Sequence, residues 1–241
     1  MRCVTAATAM IVLLALLCAG LLFYCRVDNR ITDEDPLYIG KILEDGRVPS
    51  FHGQGSFDHE ATFIGAVQKA VIQRIAPGEC LPRGTPREPK DVYLAGCGES
   101  YDRSRVIEKA LRTSGFTTRH VMVFSQKAAM SRLRTLLSGG LQSHSLTEVK
   151  TARGWLVVDP DDPWLSLTAR GEPLSLRSVQ QDAGRGKEAP GLGLAVTPPR
   201  IYREPFVGVY GLYSRHGKFY PPFNFIPDIN WSEFLYNFIS E

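Results

Sequence analysis

The sequence predicts an α+β fold, in which a helix bearing a cysteine packs on an antiparallel sheet, preceded by an N-terminal transmembrane helix. Three observations carry this. Residues 3–25 hold no charge and are rich in Leu, Ala and Val, and at about 1.5 Å per helical residue such a run is long enough to span a bilayer. Tyr101, Val106, Ile107, Ala110 and Leu111 recur at helical spacing and stop at Gly115. Two short runs, 144–149 and 154–160, are joined by Thr151-Ala152-Arg153-Gly154 in the manner of a hairpin. The chain of 241 residues has room for one domain of ordinary size and an appendage. Its expected organisation is an anchor over 1–27, a linker over 28–57, a core over 58–176 and an aromatic-rich extension over 177–241.

In order, the uncharged run is flanked by Arg2 and by Arg26 and Arg30. It ends Leu22-Phe23-Tyr24-Cys25, without the small residues of a cleavage site, so an uncut anchor is expected. The short tail before it keeps residue 1 in the cytoplasm and places the domain outside, in the periplasm or extracellular space. Residues 28–55 are polar and turn-rich, and predict a linker. Residues 58–75 carry Phe63, Ala66, Val67, Ala70, Val71 and Ile75 as an apolar stripe, ended by Pro77-Gly78. Gln68 on that helix is expected on a solvated face, with an oxyanion role as the rival. Residues 82–89 form a loop rich in Pro and Gly.

Residues 117–124 predict a strand, and 127–137 a helix ended by Gly139-Gly140. The excursion 125–143 is either a lid or a plain insertion. Residues 177–199, rich in Gly, Gln, Pro and charge, predict a mobile excursion. Half of the chain's aromatic residues lie between Tyr202 and Phe238. They are expected to wrap the domain and complete its core, the alternative being a ligand platform or membrane-surface contact. Ser214-Arg215-His216-Gly217-Lys218 predicts an exposed loop within that stretch.

Composition narrows the function. With 44% hydrophobic and 22% charged residues the chain is globular. A net charge of +3 without a basic stripe argues against nucleic acid. Histidines at 52, 59, 120, 144 and 216 show no metal-ligand spacing, and no glycine-rich phosphate loop follows a strand. No cofactor is implied.

Cys97, His144 and Asp159 are the candidate catalytic residues. A thiol needs a base to become thiolate, and the base needs a carboxylate to hold its tautomer and charge. Cys97 is placed at a helix N-terminus, which lowers a thiol pKa. If Asp159 stands opposite Leu146, His144 is its diagonal neighbour on the same face; a slip of one residue would separate them, and the register is open at this stage. A Cys80–Cys97 bridge would consume the nucleophile, so the two cysteines are expected unpaired.

These residues resemble the transglutaminase-like cysteine enzymes of the papain-type fold. The resemblance rests on Cys97 at a helix start, Gly115-Phe116 with Arg119-His120-Val121, His144 with Glu148-Val149, and Trp155 with Asp159-Pro160. It covers residues from about 58 to 165. Leu146 stands where the family usually has an aromatic, and residues 125–143 are inserted before the histidine. The resemblance implies Cys97 as nucleophile, His144 as base and Asp159 as the group that orients it. The expected function is thus a membrane-anchored, thiol-mediated acyl transfer on a peptide or protein amide, by hydrolysis or transamidation. The alternative is an idle version of the fold, serving as a binding or assembly module of the cell envelope.

Overall fold

The computed structural model describes residues 2–51, 53, 55–127, 130–185, 198–215 and 228–239, with side chains from Thr8 onward. The chain opens with helix α1 (Arg2–Tyr24) and continues through α2 (Asp35–Asp45), α3 (Phe57–Arg74), strand β1 (Ala76–Pro77), α4 (Pro89–Ala95), β2 (Cys97–Gly98) and α5 (Ser100–Thr113). Then come β3 (Thr117–Ser125), α6 (Arg132–Leu136), β4 (Ser143–Thr151), β5 (Gly154–Val158) and α7 (Leu176–Gly184). After a 3₁₀ turn at Arg200–Tyr202 come β6 (Phe206–Tyr210), β7 (Leu212–Tyr213), β8 (Asp228–Ile229) and α8 (Trp231–Phe234), followed by a second 3₁₀ turn at Leu235–Asn237.

The long helices follow from their capping and apolar spacing. Ser56 caps α3, its Oγ accepting the His59 N–H. Ile64, Val67, Ala70 and Val71 bury one face. Glu99 and Asp102 form a reciprocal capping box at the start of α5. A four-stranded antiparallel sheet, in the order β5-β4-β3-β6, is the centre of the domain. One face meets α3 and α5 through Val149, Leu156 and Val158. The other meets α7 and the 3₁₀ turn through Val121, Leu146, Val157, Leu176 and Tyr202.

Four expectations change here. Among the described residues no helix is long and apolar enough to cross a membrane. Beyond α1 the chain docks on the domain, with Cys25 and Val27 buried and Ile229 bonded to both through its backbone. The single-pass anchor is corrected accordingly, and with it the membrane as partner and the periplasmic or extracellular location.

The 28–57 segment contains α2, whose Ile39 and Ile42 enter the main core and whose buried Asp35 pairs with Lys109 of α5 at 2.6 Å. The helix expected over 127–137 is confined to α6. The excursion expected over 177–199 contains α7, and residues 186–197 lie outside the described residues. So do 216–227, including His216 and Lys218.

The C-terminal aromatics contribute to the core: Tyr202, Phe206, Tyr210 and Tyr213 are buried, while Trp231 and Phe238 are exposed. Gly211, at φ +72°, is required where α8 returns, because a Cβ there would stand 2.6 Å from both Asn230 O and Phe234 N. Beside it Tyr213 Oη lies 3.1 Å from both Glu108 Oε2 and Glu233 Oε2. Burial and the Glu108 charge push the Glu233 carboxyl up to about 8.

Candidate functional site

His144 lies near the start of β4, opposite Val123 of β3. The hairpin register pairs Thr147 with Val158, so the next residue, Asp159, stands opposite Leu146 on the face that His144 shares. The His144 Nε2–H donates to Asp159 Oδ2 at 2.7 Å. Asp159 is fully buried, and every acceptor position of its carboxylate is used. Oδ2 also accepts the Tyr202 hydroxyl at 2.7 Å, and Oδ1 accepts the N–H groups of Asp161 and Asp162 at 2.8 and 2.9 Å.

Gln68 fixes the loop that makes this possible. Its Nε2 donates to the carbonyls of Asp159, Asp162 and Trp164 at 2.7, 3.0 and 2.8 Å. It is therefore buried and braces the loop, neither solvated nor an oxyanion donor. Its place in the Ile64-Gln68-Val71 stripe is the sequence signal for that burial.

The electrostatics favour an ion pair. Burial opposes charge on the His144 ring, but the Asp159 charge and hydrogen bond outweigh it, helped by Asp161 and Asp162, so its pKa is raised. Burial likewise opposes the Asp159 carboxylate, and the His144 charge and hydrogen bond, the Tyr202 hydroxyl and the Asp162 N–H together hold its pKa below the usual value. The other ring nitrogen, Nδ1, lies 3.7 Å from Asp161 Oδ2. Asp161 in turn pairs with Arg103 of α5.

Cys97 precedes the helix. It sits in β2, opposite Ala76 of β1, and the N-cap is Glu99. The expected position at the helix N-terminus is therefore corrected: the first turn belongs to Glu99 and Ser100. Gly98 is needed beside the cap, where a Cβ would stand 2.7 Å from Asp102 Cβ. Ser100 Oγ accepts the Ser145 N–H at 3.2 Å, which joins the start of α5 to the strand end bearing His144.

Cys97 is bonded to Cys80, with Cα atoms 6.0 Å apart. The expectation of two unpaired cysteines is thus overturned, and in this form Cys97 is no nucleophile. No hydrogen bond joins it to His144 among the described residues. Cys80 is exposed and Cys97 half-buried. The described residues contain no cluster able to hold a metal.

The fold and site define an α+β domain with a histidine–aspartate pair across a hairpin, its aspartate fully buried, and a disulfide whose second cysteine precedes helix α5. No protein-family model matches the chain, and no curated protein matches it at a significant level. The resemblance to transglutaminase-like enzymes is corrected on both grounds, the missing family match and the bridged cysteine, and the chain is not assigned to that family. Sequence reading missed Tyr202, which reaches Asp159 across 43 residues. Only long-range contact marks it; one tyrosine among many aromatics carries no local signal.

Proposed function

We propose that this protein is a cysteine-dependent amide or peptide hydrolase or acyltransferase, and that the bridged form is its resting state. The observation that carries this is the His144–Asp159 pair, 2.7 Å apart, its half-buried imidazole held by a buried carboxylate that Tyr202 backs. A histidine held in one tautomer by a carboxylate with no free acceptor position is the arrangement that general-base chemistry requires. The bond between Ser145 and Ser100 ties that histidine to the turn that bears Cys97.

The chemistry starts with reduction. A dithiol reductant supplies two electrons, the Cys80–Cys97 bond opens to two thiols, and the reductant leaves as its own disulfide. His144 then takes the Cys97 proton, through Nδ1, while Nε2 stays on Asp159. The thiolate attacks the amide carbonyl. His144 returns the proton to the leaving amine, and water or a second amine resolves the thioester and restores the thiol.

Cys80→Ser separates this from a purely structural bridge. In the variant Cys97 is free without reductant, so turnover of a fluorogenic peptide and amide panel should become independent of dithiothreitol, whereas wild type should require it. His144→Ala in the same background should lower Cys97 alkylation at pH 6 and turnover by about 10²–10⁴-fold. If freed Cys97 labels no faster than reduced Cys80, and reduction only lowers the melting temperature, the bridge is a staple and the enzyme reading fails.

A further inference from the structure

We propose that Tyr202 is a positioning residue for His144, acting through Asp159, and that it sets the basicity of the imidazole. The inference rests on the reading of His144 as the base. Tyr202 Oη donates its single proton to Asp159 Oδ2, the same oxygen that accepts from His144 Nε2. The hydroxyl is fully buried, and its ring is fixed by stacking on Trp164 at 4.8 Å and by an edge contact with Phe206 at 5.9 Å. Burial and the Asp159 charge keep the phenol protonated far above neutral pH, so it remains a donor wherever the site works. The charged groups facing the pair are Asp161, Asp162 and Arg103.

The consequence is electrostatic. Two donors on one oxygen share its negative charge, so each is held less strongly than it would be alone. Without the phenol, Oδ2 charge falls on His144 only, and the imidazolium is favoured. With a more acidic phenol the charge is drawn off further, and the neutral ring is favoured. A tyrosine that merely fills space would produce neither change.

The test follows the His144 ring by NMR across a pH titration of the disulfide-bonded protein, its signal identified by loss in His144→Gln. Tyr202→Phe should raise the midpoint by about half to one pH unit. Residue-specific 3,5-difluorotyrosine at position 202 should lower it. An unchanged or lowered midpoint in folded Tyr202→Phe, or equal shifts in both proteins, overturns the proposal. If Tyr202→Phe does not fold, the fluorinated protein decides: a lowered midpoint supports the coupling, and an unchanged or raised one refutes it. No substrate or reduced cysteine enters this measurement. Failure to find turnover therefore leaves it intact, and its own failure leaves the enzyme reading to the Cys80→Ser assay.

Discussion

Replacing Asp159 by Asn removes the charge that holds the His144 proton. In wild type the ring pKa is raised and the Asp159 pKa is lowered, each chiefly against its own burial. A raised histidine contributes stability that is full below its unfolded value and lost as pH rises through the folded one. A lowered aspartate contributes stability that is full above its unfolded value and lost as pH falls through the folded one. The pair is therefore worth most between the unfolded values of the aspartate and the histidine, and fades on either side toward the lowered Asp159 pKa and the raised His144 pKa. Melting curves of wild type and Asp159→Asn should differ most in that window and converge on either side of it. The His144 midpoint should drop in the variant, since burial then acts with less opposition. Local pattern exposes some of these residues and hides others. Asp159 and His144 come from a hairpin whose turn is explicit in Ala152-Arg153-Gly154, so their juxtaposition needs only one register. Tyr202 and Arg103 arrive from elsewhere in the chain, and neither carries a spacing that points at Asp159.

At the scale of elements, α3, α5 and the β4–β5 hairpin were legible because capping, apolar period and turn agree in each. Helix α2 was not, since its polar and turn-rich flanks outweigh two buried isoleucines. It is nevertheless part of the core. Ile42 is 1% exposed and packs with α3 and α5, so Ile42→Ala should cost about 2–5 kcal/mol in urea unfolding. A substitution in a true linker would stay within about 0.5 kcal/mol. The position of Cys97 was misread for a related reason. Composition marks a helix start near Gly98, but the capping box of Glu99 and Asp102 sets the first turn later and leaves the cysteine in β2. The Cys80 bridge had no signal in spacing alone, because pairing depends on how the loop before α4 folds back.

For the molecule as a whole, the C-terminal segment ties together parts distant in sequence. Glu233 of α8 accepts the His120 N–H of β3, pairs with Arg112 of α5 at 3.0 Å and bonds Asn29 near the N-terminus. Tyr213 places it against Glu108, with Arg105 and the buried His120 ring alongside. A carboxyl raised to about 8 favours the fold fully below its unfolded value and withdraws that contribution as pH rises through 8. The melting temperature should therefore fall between about pH 5 and 8 and level off above, and Glu233→Gln, which imitates the protonated acid, should flatten that fall. Equal slopes in both proteins would remove Glu233 from the cause. The same closing role of the C-terminus has a consequence during synthesis. The ribosome delivers His144 and Asp159 before Tyr202 and before β6, the strand that completes the sheet beside β3. At about 5–20 residues per second, the stretch from Asp159 to Tyr202 takes roughly 2–9 s to emerge. Through that interval the nascent chain holds both partners of the proton pair without their clamp, and any product released early lacks it permanently.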